Sequence, residues 1–98
     1  MKPEKILEVV KIYQDLYRTA NIGPISYPHD RLLADKESGH NHCCGMLDEI
    51  VGFVREGRLE KSFRWLGFIQ GFLWAAGAYT IDDLKNHNRP SDPVGKDS

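Results

Sequence analysis

The residues best equipped for chemistry in this 98-residue chain are crowded into the run His40-Asn41-His42-Cys43-Cys44. Imidazole and thiolate are the usual ligands of zinc, but zinc takes four donors in a tetrahedron, commonly as two separated pairs. Here only His29 and His87 remain elsewhere to complete a set. His40 and Cys44 would share one helix face, so a metal enzyme built on His40, His42 and Cys44 is conceivable. The simpler expectation is a small core thiol beside solvated turn histidines. A catalytic thiol would need an activating partner and a lowered pKa, which Cys44 would gain at a helix N-terminus. No second feature marks a nucleophile. The pairs Asp48-Glu49 and Asp82-Asp83 are adjacent, so on a helix they diverge by about 100°. Nothing resembles a glycine-rich phosphate loop. The expectation is therefore no enzyme, no cofactor and no metal site.

Residues suited to binding are more widely spread. Arg64 and Gln70 interrupt an apolar segment. A buried guanidinium needs a carboxylate or phosphate, and a buried amide needs a partner. Structural partners would be Glu60 for Arg64 and an interface group for Gln70; the alternative is a ligand. Tyr13, Tyr17, Arg18, Tyr27, His29 and Arg31 give the N-terminal half an aromatic and basic character. Nucleobases stack on tyrosine, and phosphates take arginine forks. Tyr13 lies on a core-facing stripe, whereas Tyr27 and Arg31 lie in a proline-rich loop and are the better candidates. Lys85-Asn86-His87-Asn88-Arg89-Pro90 is dense in donors; its cations and proline suit a helix end, but its asparagines, Asn88 among them, are less well explained.

The elements that position these groups are helices. Pro3 suits a first turn, and Ile6, Val9, Val10, Tyr13, Leu16 and Tyr17 form one stripe, which predicts a helix to about Thr19. Asn21 and Gly23-Pro24 stop it. Residues 22–39 are expected to be irregular. A second helix, starting somewhere within Ser38–His42, carries Cys43, Met46, Leu47, Ile50, Phe53 and Val54 inward, leaves Asp48, Glu49 and Arg55 to water, and ends at Gly57. A third follows over about Leu59–Ala76, close enough to force a helical hairpin. Its residues Phe63, Trp65, Leu66, Phe68, Ile69, Phe72, Leu73 and Trp74 surround most of its circumference, so it should be covered on several sides. Gly67 and Gly71 lie on one face and invite close approach of another backbone. Thr80-Ile81-Asp82-Asp83 opens a last short helix as a capping box. The expected fold is all-α: a helical hairpin domain over 1–90 with an N-terminal and a short C-terminal helix, then a polar, disordered tail over 91–98. Oligomerisation would proceed through Trp65, Gly67, Phe68, Gly71, Phe72 and Trp74.

Composition narrows the partners. A net charge of −1 argues against a dedicated nucleic-acid binder, but a few convergent arginines suffice for a small anion. Adjacent Cys43 and Cys44 cannot bridge each other without severe strain, and no signal segment or spanning helix is evident. A cytoplasmic protein without membrane attachment is expected.

The stretches Cys44-Gly45-Met46-Leu47-Asp48-Glu49-Ile50, Gly57-Arg58, Arg64-Trp65-Leu66-Gly67-Phe68-Ile69-Gln70-Gly71-Phe72-Leu73-Trp74 and Thr80 to Arg89 together resemble small accessory proteins of tailed bacteriophages. More loosely, Arg64-Trp65 with Gln70-Gly71-Phe72 is similar to phage counter-defence sponges, helical oligomers that sequester nucleotide immune signals, although the spacing here is about one turn shorter. This resemblance implies a non-enzymatic homo-oligomer in the host cytoplasm that captures a small nucleotide signal. Arg31 and Arg64 would neutralise phosphate, Tyr27 would stack on a base, and Gln70 or Asn88 would read base or ribose edges. The alternative is a protein inhibitor or adaptor that docks Trp65, Phe68 and Trp74 onto a host protein.

Overall fold

The computed structural model describes residues 1–90. They form four helices and, among the described residues, no strand: α1 (Pro3–Thr19), α2 (Lys36–Arg55), α3 (Leu59–Ala75) and α4 (Ile81–Asn88). The tail expected over 91–98 lies outside the described residues.

Three of the helix ends share one device. After α1, α2 and α3 a residue in the left-handed region follows the cap: Asn21 (φ 61°), Gly57 (φ 79°) and Gly77 (φ 79°). The next amide then reaches back to a carbonyl of the last turn, as in Ile22 N–H to Tyr17 O at 2.8 Å and Arg58 N–H to Phe53 O at 2.9 Å. Orphan carbonyls are satisfied and the chain changes direction at once. Asn21 does this work without glycine because its short polar side chain tolerates that region. At the other ends, Pro3 opens α1, and Thr80 and Asp83 close a complete capping box on α4.

The start of α2 lies earlier than the Ser38–His42 window. Asp35 is the cap, its carboxylate accepting from the Ser38 amide at 2.7 Å. That bond also holds the Asp35 carboxyl below its ordinary range. A carboxylate two to three residues ahead of the free amides satisfies donors that a helix start leaves bare.

The core is one cluster: Ile6, Val9, Val10, Tyr13 and Tyr17 from α1, Cys43, Met46, Leu47, Ile50 and Val54 from α2, and Leu66, Ile69 and Leu73 from α3. α2 packs against both α1 and α3. α3 runs back along α2, so Phe53 meets Trp65 near one end and Gly39 meets Phe72 near the other. A Cβ on Gly39 would come within 2.5 Å of the Phe72 ring, which is why glycine stands there. In the single chain α3 is covered on one face. Phe63, Phe68 and Trp74 remain 49%, 60% and 54% exposed, and nothing lies within 4 Å of where a Cβ on Gly67 or Gly71 would be. Among the described residues, no helix is long and apolar enough to cross a membrane.

Candidate functional site

The loop between α1 and α2 does not wander. Ile22, Gly23, Ile25 and Tyr27 are fastened in sequence to the first half of α2. Cys44 Sγ donates to Ile22 O at 3.6 Å, Asn41 Nδ2 to Gly23 O at 2.8 Å, and Ile25 N–H to Asn41 O at 3.1 Å. Tyr27 N–H donates to His42 Nδ1 at 3.0 Å. The Tyr27 hydroxyl then donates to Leu32 O at 2.8 Å and accepts from Ala34 N–H at 3.0 Å, closing the loop on itself.

The run from His40 to Cys44 therefore has work of its own, and its four hydrogen-bonding members each have a different partner. Cys43 is in the core, where burial pushes its thiol up to about 12. Cys44 lies well inside α2 rather than at its N-terminus, and burial, with Asp48 nearby, raises its pKa instead of lowering it. An activated thiolate is not available there. Among the described residues no three potential ligands converge.

Between the fastened loop and the helices runs a groove of about 490 Å³. Trp65, Phe68 and Phe72, on one stripe of α3, form its aromatic side; Gly39, His42, Cys43, Met46 and Glu49 supply α2's side. Tyr27, His29, Arg31 and Leu33 close it from the loop. His29 and His42 meet edge to face, their ring centroids 5.7 Å apart. His42 accepts at Nδ1, so its neutral ring keeps its hydrogen on Nε2. Arg31 is exposed and has no ion-pair partner among the described residues. A groove with aromatic walls and a free guanidinium at its rim suits a planar ligand bearing negative charge.

Tyr27 and Arg31 thus come together with Trp65, Phe68 and Phe72, residues that the sequence places in an oligomer interface. Gln70 and Asn88 come together elsewhere. Their amides form a reciprocal pair, Gln70 Nε2 to Asn88 Oδ1 at 2.7 Å and Asn88 Nδ2 to Gln70 Oε1 at 3.1 Å. Gln70 also donates to the Tyr13 hydroxyl at 2.9 Å, and that hydroxyl meets His87 Nδ1 at 2.9 Å. These bonds carry α4 onto α1 and α3. Arg64 is exposed and, among the described residues, has no ion pair with Glu60 or any other acid. Trp74 stands clear of the groove. His42, Met46 and Glu49 are groove residues that the sequence does not single out; their spacing with Gly39, which keeps one α2 stripe, is the signal that points to them.

A second tyrosine–histidine joint, Tyr17 hydroxyl to His40 Nδ1 at 2.8 Å, backs the groove, and the His40 ring stacks edge-on against Phe72 at 4.8 Å. Burial raises Tyr13 to about 12 and pushes Tyr17 up as well, so both phenols keep their protons. Burial lowers His40 and His87 from 6.5, with Lys36 adding to the first; for the second, Asp83 opposes and Lys5 adds. Unfolded histidines therefore take up protons before the folded ones do. Stability should be level above about pH 7 and fall as pH drops through about 6.5 toward the lowered folded values. Urea midpoints measured from about pH 8 to about pH 5 should trace that decline. A midpoint constant across the range would contradict it.

The chain matches no known protein family, no curated protein and no solved structure.

Proposed function

We propose that this is a non-catalytic binding protein that captures a small, planar, anionic ligand in the groove beside α3, and that the ligand is nucleotide-derived. The observation that carries the reading is the meeting of Arg31, without an ion-pair partner among the described residues, with the aromatic stripe Trp65, Phe68 and Phe72 around one groove. Aromatic faces accept a base by stacking, and a guanidinium accepts phosphate through paired hydrogen bonds. Sequestration of a nucleotide immune signal in an infected cell, the role implied by the phage resemblance, is the biological form of this proposal. Calorimetry against mononucleotides, cyclic di- and trinucleotides and cyclic ADP-ribose isomers tests it. Saturable heat from at least one class is the expected result; no heat from any of them ends the reading.

Self-association is part of the same proposal. Phe68 both lines the groove and remains 60% exposed, and the open face over Gly67 and Gly71 lies on the same helix. A second copy packed there would bury Phe68 and Trp74 and wall the groove from its outer side. Sedimentation should find a species larger than one chain, and Phe68→Asp should return it to a single protomer. A wild-type monomer at working concentration would overturn this and leave the face to a host protein, as the adaptor alternative requires.

A further inference from the structure

Within the proposed groove the geometry points to a guanine nucleotide, its base held at the Trp65–Glu49 end and its phosphate at the Arg31–His42 end. This inference rests on the groove being a nucleotide site and adds which base it selects and which way the ligand lies.

The groove is polar at two separated places. α2 runs along it from Gly39 through His42 and Met46 to Glu49. At a rise of 1.5 Å per residue, His42 and Glu49 stand about 10 Å apart along the helix. The loop is tied down at His42 through Tyr27, and His29 meets the His42 ring there, so the loop that carries Arg31 is anchored at that end. Arg31 and the Nε2 hydrogen of neutral His42 are donors, as an anionic group requires. The other end has the opposite character. Trp65 is there, held edge-on by Phe53 with ring centroids 4.9 Å apart and with Lys61 Nζ 5.4 Å from its ring, and a base would stack on the part of the indole that lines the groove.

Glu49 is the only carboxylate among the described residues that line the groove, and it has no ion-pair or hydrogen-bond partner among the described residues. Neither Arg31 nor Lys61, whose ammonium lies over the Trp65 ring, is within ion-pair distance of it. An ionised carboxylate accepts hydrogen bonds and donates none. Of the common bases, only guanine offers two adjacent donors on its pairing edge, N1–H and the N2 amino group, and these fit the two oxygens of a carboxylate side by side. Adenine and cytosine place a donor beside an acceptor; uracil has one donor between two carbonyls. Each of these would bring a lone pair against Glu49. The carboxylate therefore selects by repulsion as well as by attraction.

The test is calorimetry with GMP, IMP and AMP on the wild-type chain and on Glu49→Gln. Wild type should bind GMP at least about tenfold tighter than AMP, with IMP, which lacks the second donor, between them. A carboxamide offers one acceptor and one donor, so Glu49→Gln should weaken GMP by at least about tenfold and leave AMP no weaker. Glu49 is exposed, and an unchanged circular dichroism spectrum would show the variant folded. Equal binding of GMP and AMP by wild type, or a guanine preference that survives Glu49→Gln, overturns the inference and leaves the groove as a nucleotide site. Failure of all three nucleotides to bind overturns the inference together with the reading it rests on.

Discussion

Replacing Tyr13 with alanine should leave the chain largely unfolded at physiological temperature. The ring is fully buried in the core, and its hydroxyl is the node at which Gln70 and His87 meet. Truncating a large buried ring costs about 3–5 kcal/mol, and stranding a buried donor or acceptor adds about 1–3 kcal/mol. A domain of this length has a total stability of only about 5–15 kcal/mol. The loss is therefore comparable with everything available. Tyr13→Phe separates the two contributions. It keeps the packing and removes the node, so it should cost about 1–3 kcal/mol and release α4 while α1, α2 and α3 stay assembled. Urea denaturation gives the magnitudes. A Tyr13→Ala variant with wild-type stability would mean that the polar joint and the ring both count for little.

The second large effect is expected on affinity. Arg31→Ala should weaken the ligand found by calorimetry by roughly ten- to a hundredfold, because hydrogen bonds to a charged group are worth about 1.5–3 kcal/mol. Arg64→Ala should leave that affinity within about a factor of two, since a solvated cation away from the groove contributes little. The pair matters because sequence alone gives the two arginines equal standing. An equal loss from both would move the phosphate site out of the groove; no loss from Arg31→Ala would remove its proposed role.

Those arginines mark where sequence reasoning stops. The helices were legible because each rests on local rules: Pro3 at a first turn, the Thr80–Asp83 box, the left-handed stops at Asn21, Gly57 and Gly77, and apolar stripes recurring at helical spacing. The core residues of α1 followed from the same periodicity. What local pattern does not carry is the identity of a polar side chain's partner. Gln70 meets Asn88 across 18 positions and Tyr13 across 57, and nothing near Gln70 announces either. The His40–Cys44 run is opaque for the same reason: no spacing shows that His40, Asn41, His42 and Cys44 each bond to a different stretch of backbone or a different ring. The aromatic stripe of α3 is visible in the sequence, but that it faces a loop on one side depends on tie points to α2 that no spacing reveals.

α4 buries none of its residues fully, and it is held on the rest of the molecule by Leu84 against the core, the amide pair and the tyrosine–histidine joint. Stability is accordingly tiered. The last helix should open as its own cooperative unit at lower free energy than the three-helix body, and hydrogen exchange should find its amides the less protected. Damage confined to that final segment should leave the groove standing, since no residue of α4 lines it.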